Sequence, residues 1–205
     1  MDLRDKIDAT LLKHDAPLTE VVEFAKRAAR EGVRSVVVYP FYAKHLVKLG
    51  VEIPICTVVG FPHGAQLGES KEREAQLAQE MGISEIDYVI SIPAVKNGLF
   101  DYLREEADLI TSAFSGTVKA IIEIPILSED ELKGVLEALE STSVEYVKTS
   151  TGLYRPVTSD DVKRIKELTS KRIKASGGIR RREQAIELVK SGADVLGTSR
   201  PFDIL

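Results

Sequence analysis

Tryptophan is absent from the 205 residues, cysteine occurs once, as Cys56, and histidine three times. A lone thiol excludes an internal disulfide framework and suits a reducing compartment such as the cytoplasm. His14, His45 and His63 are scattered without the spacing of a zinc site, so neither a metal nor a cofactor is expected. No stretch reaches the roughly 18 consecutive apolar residues of a membrane helix. The opening Met1-Asp2-Leu3-Arg4-Asp5-Lys6 is mixed in charge and lacks the apolar run of a secretory leader. An excess of one charge is also missing: 28 Lys and Arg stand against 32 Asp and Glu, a net charge of -4. Such a surface has no bulk affinity for nucleic acid or anionic membrane. Asparagine is confined to Asn97, and few thermolabile side chains beside many ionic ones lean towards a thermophile.

What is present reads as one soluble globular domain over 1–205, 43% hydrophobic and 29% charged. Short β-branched runs alternate with longer segments of helical spacing. The runs are 36–38, 53–59, 88–90, 120–122, 146–147, 172–175 and 195–196, with Ile7 to Leu11 an eighth candidate at the front. Between them lie stripes such as Val21, Val22, Phe24, Ala25 and Ala28, or Leu132, Val135, Leu136 and Leu139. Thr19, Ser128 and Ser159 read as helix starts, and Gly32, Gly82 and Gly192 as stops. Strand–helix alternation throughout means a parallel sheet covered by helices. Eight such repeats close into an α/β (β/α)8 TIM barrel, for which ~200 residues is near the lower limit. The competing open, doubly wound sheet usually shows a G-x-G-x-x-G turn after its first strand. Here the first clear strand ends in Tyr39-Pro40-Phe41 instead.

In a barrel the chemistry sits at the carboxyl ends of the strands. Alternation along Glu145 to Ser150 turns Lys148 away from Val147 and into the barrel mouth. Along Arg172 to Ser176, Lys174 likewise opposes the outward Ile173. A single lysine at a strand end would simply snorkel to solvent. Two on consecutive strands, ~4.8 Å apart, would crowd each other, and desolvation and like charge both favour a neutral, nucleophilic amine. Asp87 interrupts the strand formers of 85–90, where it either pairs with a lysine or binds backbone donors at a turn. Gly152, Gly177, Gly178 and Gly197, with the hydroxyls around them, follow late strands, where backbone amides approach a phosphate. Arg180, Arg181 and Arg182 stand at a helix start, where cations oppose the dipole; they attract an anion or form a solvated face. His63 reads as a loop residue, Cys56 as inert packing, and Glu123 as a buried hydrogen-bond anchor without a chemical step.

These segments resemble the deoxyribose-phosphate aldolase family of class I aldolases, in order and over nearly the whole chain. Val147-Lys148-Thr149-Ser150-Thr151-Gly152 looks like its Schiff-base strand, and Lys174-Ala175-Ser176-Gly177-Gly178-Ile179-Arg180 like the strand of its second lysine. Thr57 to Gly64 and Glu85-Ile86-Asp87 are similar to two further family segments. The resemblance implies reversible cleavage of 2-deoxy-D-ribose 5-phosphate to glyceraldehyde 3-phosphate and acetaldehyde. Lys148 would form the imine, Lys174 would hold it neutral and help move protons, and Asp87 would shuttle protons through water. Thr151, Gly152, Gly177, Gly178, Gly197, Thr198 and Ser199 match the substrate- and phosphate-binding loops, while Asp8 and Thr10 match a supporting segment. A homodimer or homotetramer is implied, with phosphosugar and aldehydes as small-molecule partners. The chain departs from many relatives in Val37, where Cys is frequent, in Leu153, and in Arg200 beside Ser199. Another phosphosugar barrel enzyme, or a phosphate-binding protein without turnover, remains the competing reading.

Overall fold

Eight parallel strands close on themselves in the computed structural model, which describes residues 1–205. They are β1 (Ile7–Leu11), β2 (Ser35–Val38), β3 (Ile55–Val59), β4 (Glu85–Val89), β5 (Thr117–Ile121), β6 (Tyr146–Lys148), β7 (Arg172–Ser176) and β8 (Val195–Thr198). Their order in the sheet is their order in the chain, and β8 returns to pair with β1. Around them lie α1 (Leu18–Glu31), α2 (Pro40–Lys48), α3 (Gly68–Glu80), α4 (Ile92–Lys96), α5 (Phe100–Ala113), α6 (Glu129–Glu140), α7 (Ser159–Leu168) and α8 (Arg182–Lys190). The architecture is the expected (β/α)8 barrel. The ring of helices is nevertheless irregular: two helices, α4 and α5, follow β4, and β8 is followed only by a 3₁₀ turn, Pro201–Asp203.

Period-2 alternation sorts each strand into two faces. Outward residues such as Val36, Ile86, Val118, Val147 and Ile173 merge with the helix stripes into one contiguous apolar core between sheet and helices. Inside the barrel only Val37, Cys56 and Val58 form a small apolar cluster. The remaining interior is largely ionic, with Asp8, Asp87, Lys119, Lys148 and Lys174 all buried. Barrels are ordinarily filled by branched apolar side chains, so this charge marks a candidate site.

Helix ends follow the local chemistry with small shifts. Ser128 and Glu131 form a full capping box on α6. Thr158, not Ser159, caps α7, accepting from Asp161 N while Asp161 accepts from Thr158 N. Thr19 lies inside the first turn of α1, because Pro17 occupies the cap position and makes no side-chain bond there. Pro40, expected to end a strand, opens α2, where its missing N–H costs nothing.

Candidate active site

The register brings Lys148 of β6 directly opposite Lys174 of β7, and Asp87 of β4 opposite Lys119 of β5. All four side chains point inward, and Asp87 is their common partner. Its Oδ2 accepts from Lys148 Nζ at 2.8 Å and Lys174 Nζ at 2.7 Å. Its Oδ1 lies 3.2 Å from Lys119 Nζ and accepts from the Cys56 thiol at 3.3 Å. Lys174 also pairs with Asp8 Oδ2 at 2.6 Å. Asp8 in turn accepts from Ser35 Oγ at 2.7 Å and from Arg34. Arg34 grips Glu85 with both guanidinium nitrogens, at 2.6 and 3.0 Å, and Glu85 accepts from Lys119.

The contacts therefore close a ring of alternating sign: Arg34, Asp8, Lys174, Asp87, Lys119, Glu85 and back to Arg34. Three cations balance three carboxylates. Lys148 hangs on Asp87 as a seventh, unmatched charge. Burial would raise the Asp8 carboxyl, but Lys174, Lys119 and Arg34 outweigh it and bring it to about 2. Burial likewise opposes ionisation of Asp87, and the three lysines overcome it and hold it well below the usual carboxylate range. Lys174 and Lys119 pay the same desolvation, yet their anionic neighbours push both above the ordinary lysine value. Lys148 alone among the three inward lysines is lowered. Burial is the largest cause, and the repulsion of Lys174 adds to it against the pull of Asp87. The charge balance explains the choice: an uncharged Lys148 leaves the buried cluster neutral.

Above Lys148 opens a cavity of about 360 Å³ at the carboxyl ends of the strands. Thr10, Thr151, Gly152, Gly177, Gly178, Gly197, Thr198 and Ser199 all line it, so the expected loops converge on one space. Asp8, Asp87 and Lys174 do not line it but form the layer beneath. Three of the cavity glycines are needed for packing: a methyl on Gly178 would stand 2.7 Å from Pro156 Cβ. A methyl on Gly177 (φ 108) would stand 2.5 Å from Ser150 Oγ. One on Gly197 would stand 2.2 Å from Ser176 Oγ and 3.2 Å from Lys174 Cε. Gly197 thus makes room for the lysine stem. The Ser176 hydroxyl is buried without a protein partner. Thr198 Oγ1 donates to Ile179 O at 2.7 Å and accepts from Arg200 N at 3.0 Å, so its one hydroxyl proton is already committed. Arg180 reaches the cavity, whereas Arg181 and Arg200 line a wider neighbouring cleft of about 800 Å³.

His63 is exposed and lines a second cleft with Glu123 and Tyr154 rather than the cavity. Cys56 lies in the barrel interior, where burial pushes its thiol up. Sequence reasoning missed Lys119, Arg34 and the part played by Glu85. Lys119 carried a usable signal, since it sits between outward Val118 and Ala120 as Lys148 and Lys174 sit beside their outward neighbours. Arg34 carried none. A separate buried pair braces the site's rim: Lys71 donates to Glu106 at 2.6 Å and to the carbonyls of Gly64 and Val89 at 2.9 and 2.8 Å.

No family model matches the chain. A deoxyribose-phosphate aldolase of Clostridium kluyveri is 37% identical over 211 residues, covering 100% of this chain and 97% of the relative. Among solved structures, an aldolase designated QR15 superposes with a TM-score of 0.96 at 34% identity, over 100% of this chain and 94% of that one. A deoxyribose phosphate aldolase from Aeropyrum pernix, described as a unique tetramer, gives 0.90 at 31% identity, over 98% and 88%.

Proposed function

Since the chain belongs to the deoxyribose-phosphate aldolase family of carbon–carbon lyases, we propose that it cleaves 2-deoxy-D-ribose 5-phosphate reversibly through an imine on Lys148. The observation that carries this reading is the unmatched lysine: six ring charges cancel, and the seventh group, Lys148, is the one pushed towards the free amine. A neutral amine on a buried strand, at the floor of the cavity, is a nucleophile for an aldehyde.

The chemistry follows in balance. The Lys148 amine adds to C1 of the open-chain sugar, and loss of water gives an iminium. Removal of the 3-hydroxyl proton lets the C2–C3 bond break, its electron pair flowing into the iminium. Glyceraldehyde 3-phosphate leaves, and an enamine of acetaldehyde stays on Lys148. Protonation at C2 and hydrolysis release acetaldehyde and return the amine. Asp87, bonded to both lysines, is placed to pass protons between them and water. Lys174 supplies the charge that keeps Lys148 neutral, and Asp8 and Thr10 support it. The phosphate is assigned to the Gly177, Gly178 and Gly197–Ser199 side of the cavity, at the approach to α8, with Gly152 and Thr151 on the same lining.

In this reading residues 1–205 act as one barrel domain in the cytoplasm, without metal or cofactor, within a homo-oligomer. The tetrameric Aeropyrum pernix relative supports the last point. Borohydride with acetaldehyde should trap the protein covalently at Lys148, and acetaldehyde release from deoxyribose 5-phosphate should persist in EDTA. Lys148→Leu should abolish both. Trapping that survives this substitution excludes Lys148 as the nucleophile.

A further inference from the structure

Glu123 is the one non-glycine residue with positive φ (φ 53, ψ 53). Residues with side chains disfavour that conformation, and where it persists the surroundings hold it. Here they do so from both sides. Ile122 N donates to Lys148 O at 3.0 Å and Ile124 N to Thr149 O at 2.9 Å. The ladder to the lysine strand is thus intact around a single residue turned out of line.

The turn delivers a carboxylate. The Glu123 side chain is buried and accepts from Thr151 N at 3.2 and 3.3 Å and from Thr151 Oγ1. A threonine hydroxyl has one proton. Once that proton points at Glu123, Oγ1 has only lone pairs for other partners, and Leu153 N uses one at 3.3 Å. Thr151 lines the cavity above Lys148, and Glu123 does not.

We propose that Glu123 is a positioning residue which, by taking the Thr151 hydroxyl proton, makes Thr151 an acceptor only and so selects acceptor aldehydes bearing a hydroxyl beside the reacting carbonyl. The inference rests on the aldolase reading above. It moves Thr151 from the phosphate to the sugar hydroxyl, because an oxygen that cannot donate is a poor neighbour for an anion.

The test compares two acceptors condensed with acetaldehyde: 3-hydroxy-4-oxobutylphosphonate and 4-oxobutylphosphonate, which differ in that hydroxyl alone. Glu123→Gly removes the carboxylate while relieving the left-handed backbone, which offsets part of the cost of the lost Thr151 bonds, so the variant should still fold. It should raise KM for the hydroxylated acceptor about tenfold and leave kcat and the KM of the deoxy acceptor nearly unchanged. Thr151→Val should reproduce this loss, and the double substitution should add nothing to it. The proposal is overturned if the KM ratio of the two acceptors is unchanged in Glu123→Gly, or if both acceptors weaken alike. A wild type that cannot be trapped by acetaldehyde and borohydride would instead overturn the aldolase reading, and this proposal with it.

Discussion

Replacing Lys174 with methionine tests whether charge crowding is what frees the Lys148 amine. The two lysine nitrogens bind the same Asp87 oxygen at 2.8 and 2.7 Å, so they are no more than 5.5 Å apart. At an effective dielectric of about 20, two unit charges at that separation repel by about 3 kcal/mol. Lys174→Met keeps the apolar stem and removes the charge, leaving Asp87 to attract Lys148 unopposed from that side. The neutral fraction of Lys148 at pH 7 should fall on the order of a hundredfold. The assay is the initial rate of borohydride trapping with acetaldehyde as a function of pH, which reads the amine without requiring carbon–carbon cleavage. Because the substitution favours the ammonium form, the acid limb of the profile should move to higher pH and trapping should recover in alkali. An acid limb that stays in place, with undiminished trapping at pH 7, would refute the electrostatic account even if cleavage were lost.

Gly197→Ala should lower kcat by roughly tenfold, because its methyl would stand 3.2 Å from Lys174 Cε and 2.2 Å from Ser176 Oγ; steady-state rates on deoxyribose 5-phosphate check this, and wild-type turnover would show that the lysine stem has slack. Acid should weaken the fold through Asp8, whose carboxyl titrates at about 2 against an unfolded value near 3.8. A depressed folded value means its contribution, about 2 kcal/mol, is complete above the unfolded value and disappears as pH falls through the folded one. Urea midpoints between pH 6 and pH 2 should show this loss, and Asp8→Asn should flatten that part of the curve.

Much of the barrel was legible because its strands obey period-2 alternation without exception at the key positions. Ile7–Leu11 was readable as β1 from five residues, and the inward turn of Lys148 and Lys174 followed from Val147 and Ile173 facing the helices. The same rule applied to Val118-Lys119-Ala120 would have exposed the third lysine. Other features depend on distance in sequence rather than pattern. Arg34 meets Glu85 across 51 positions, and Glu123 meets Thr151 across 28; neither contact leaves a local trace. The start of α2 at Pro40 was obscured because proline ends strands as readily as it opens helices. Gly197 resembled a phosphate-loop glycine, while its need for space comes from Ser176 and, less tightly, Lys174 on the adjacent strand.

The circuit of Arg34, Asp8, Lys174, Asp87, Lys119 and Glu85 acts as an internal hoop, tying together residues carried by β1, β4, β5 and β7 and by the residue just before β2. Its members cannot drift independently: neutralising any one leaves two neighbouring charges of opposite sign each short of a partner. Laboratory evolution of this interior should therefore progress through compensating pairs of substitutions, with single steps purged even when they lie far from any substrate atom.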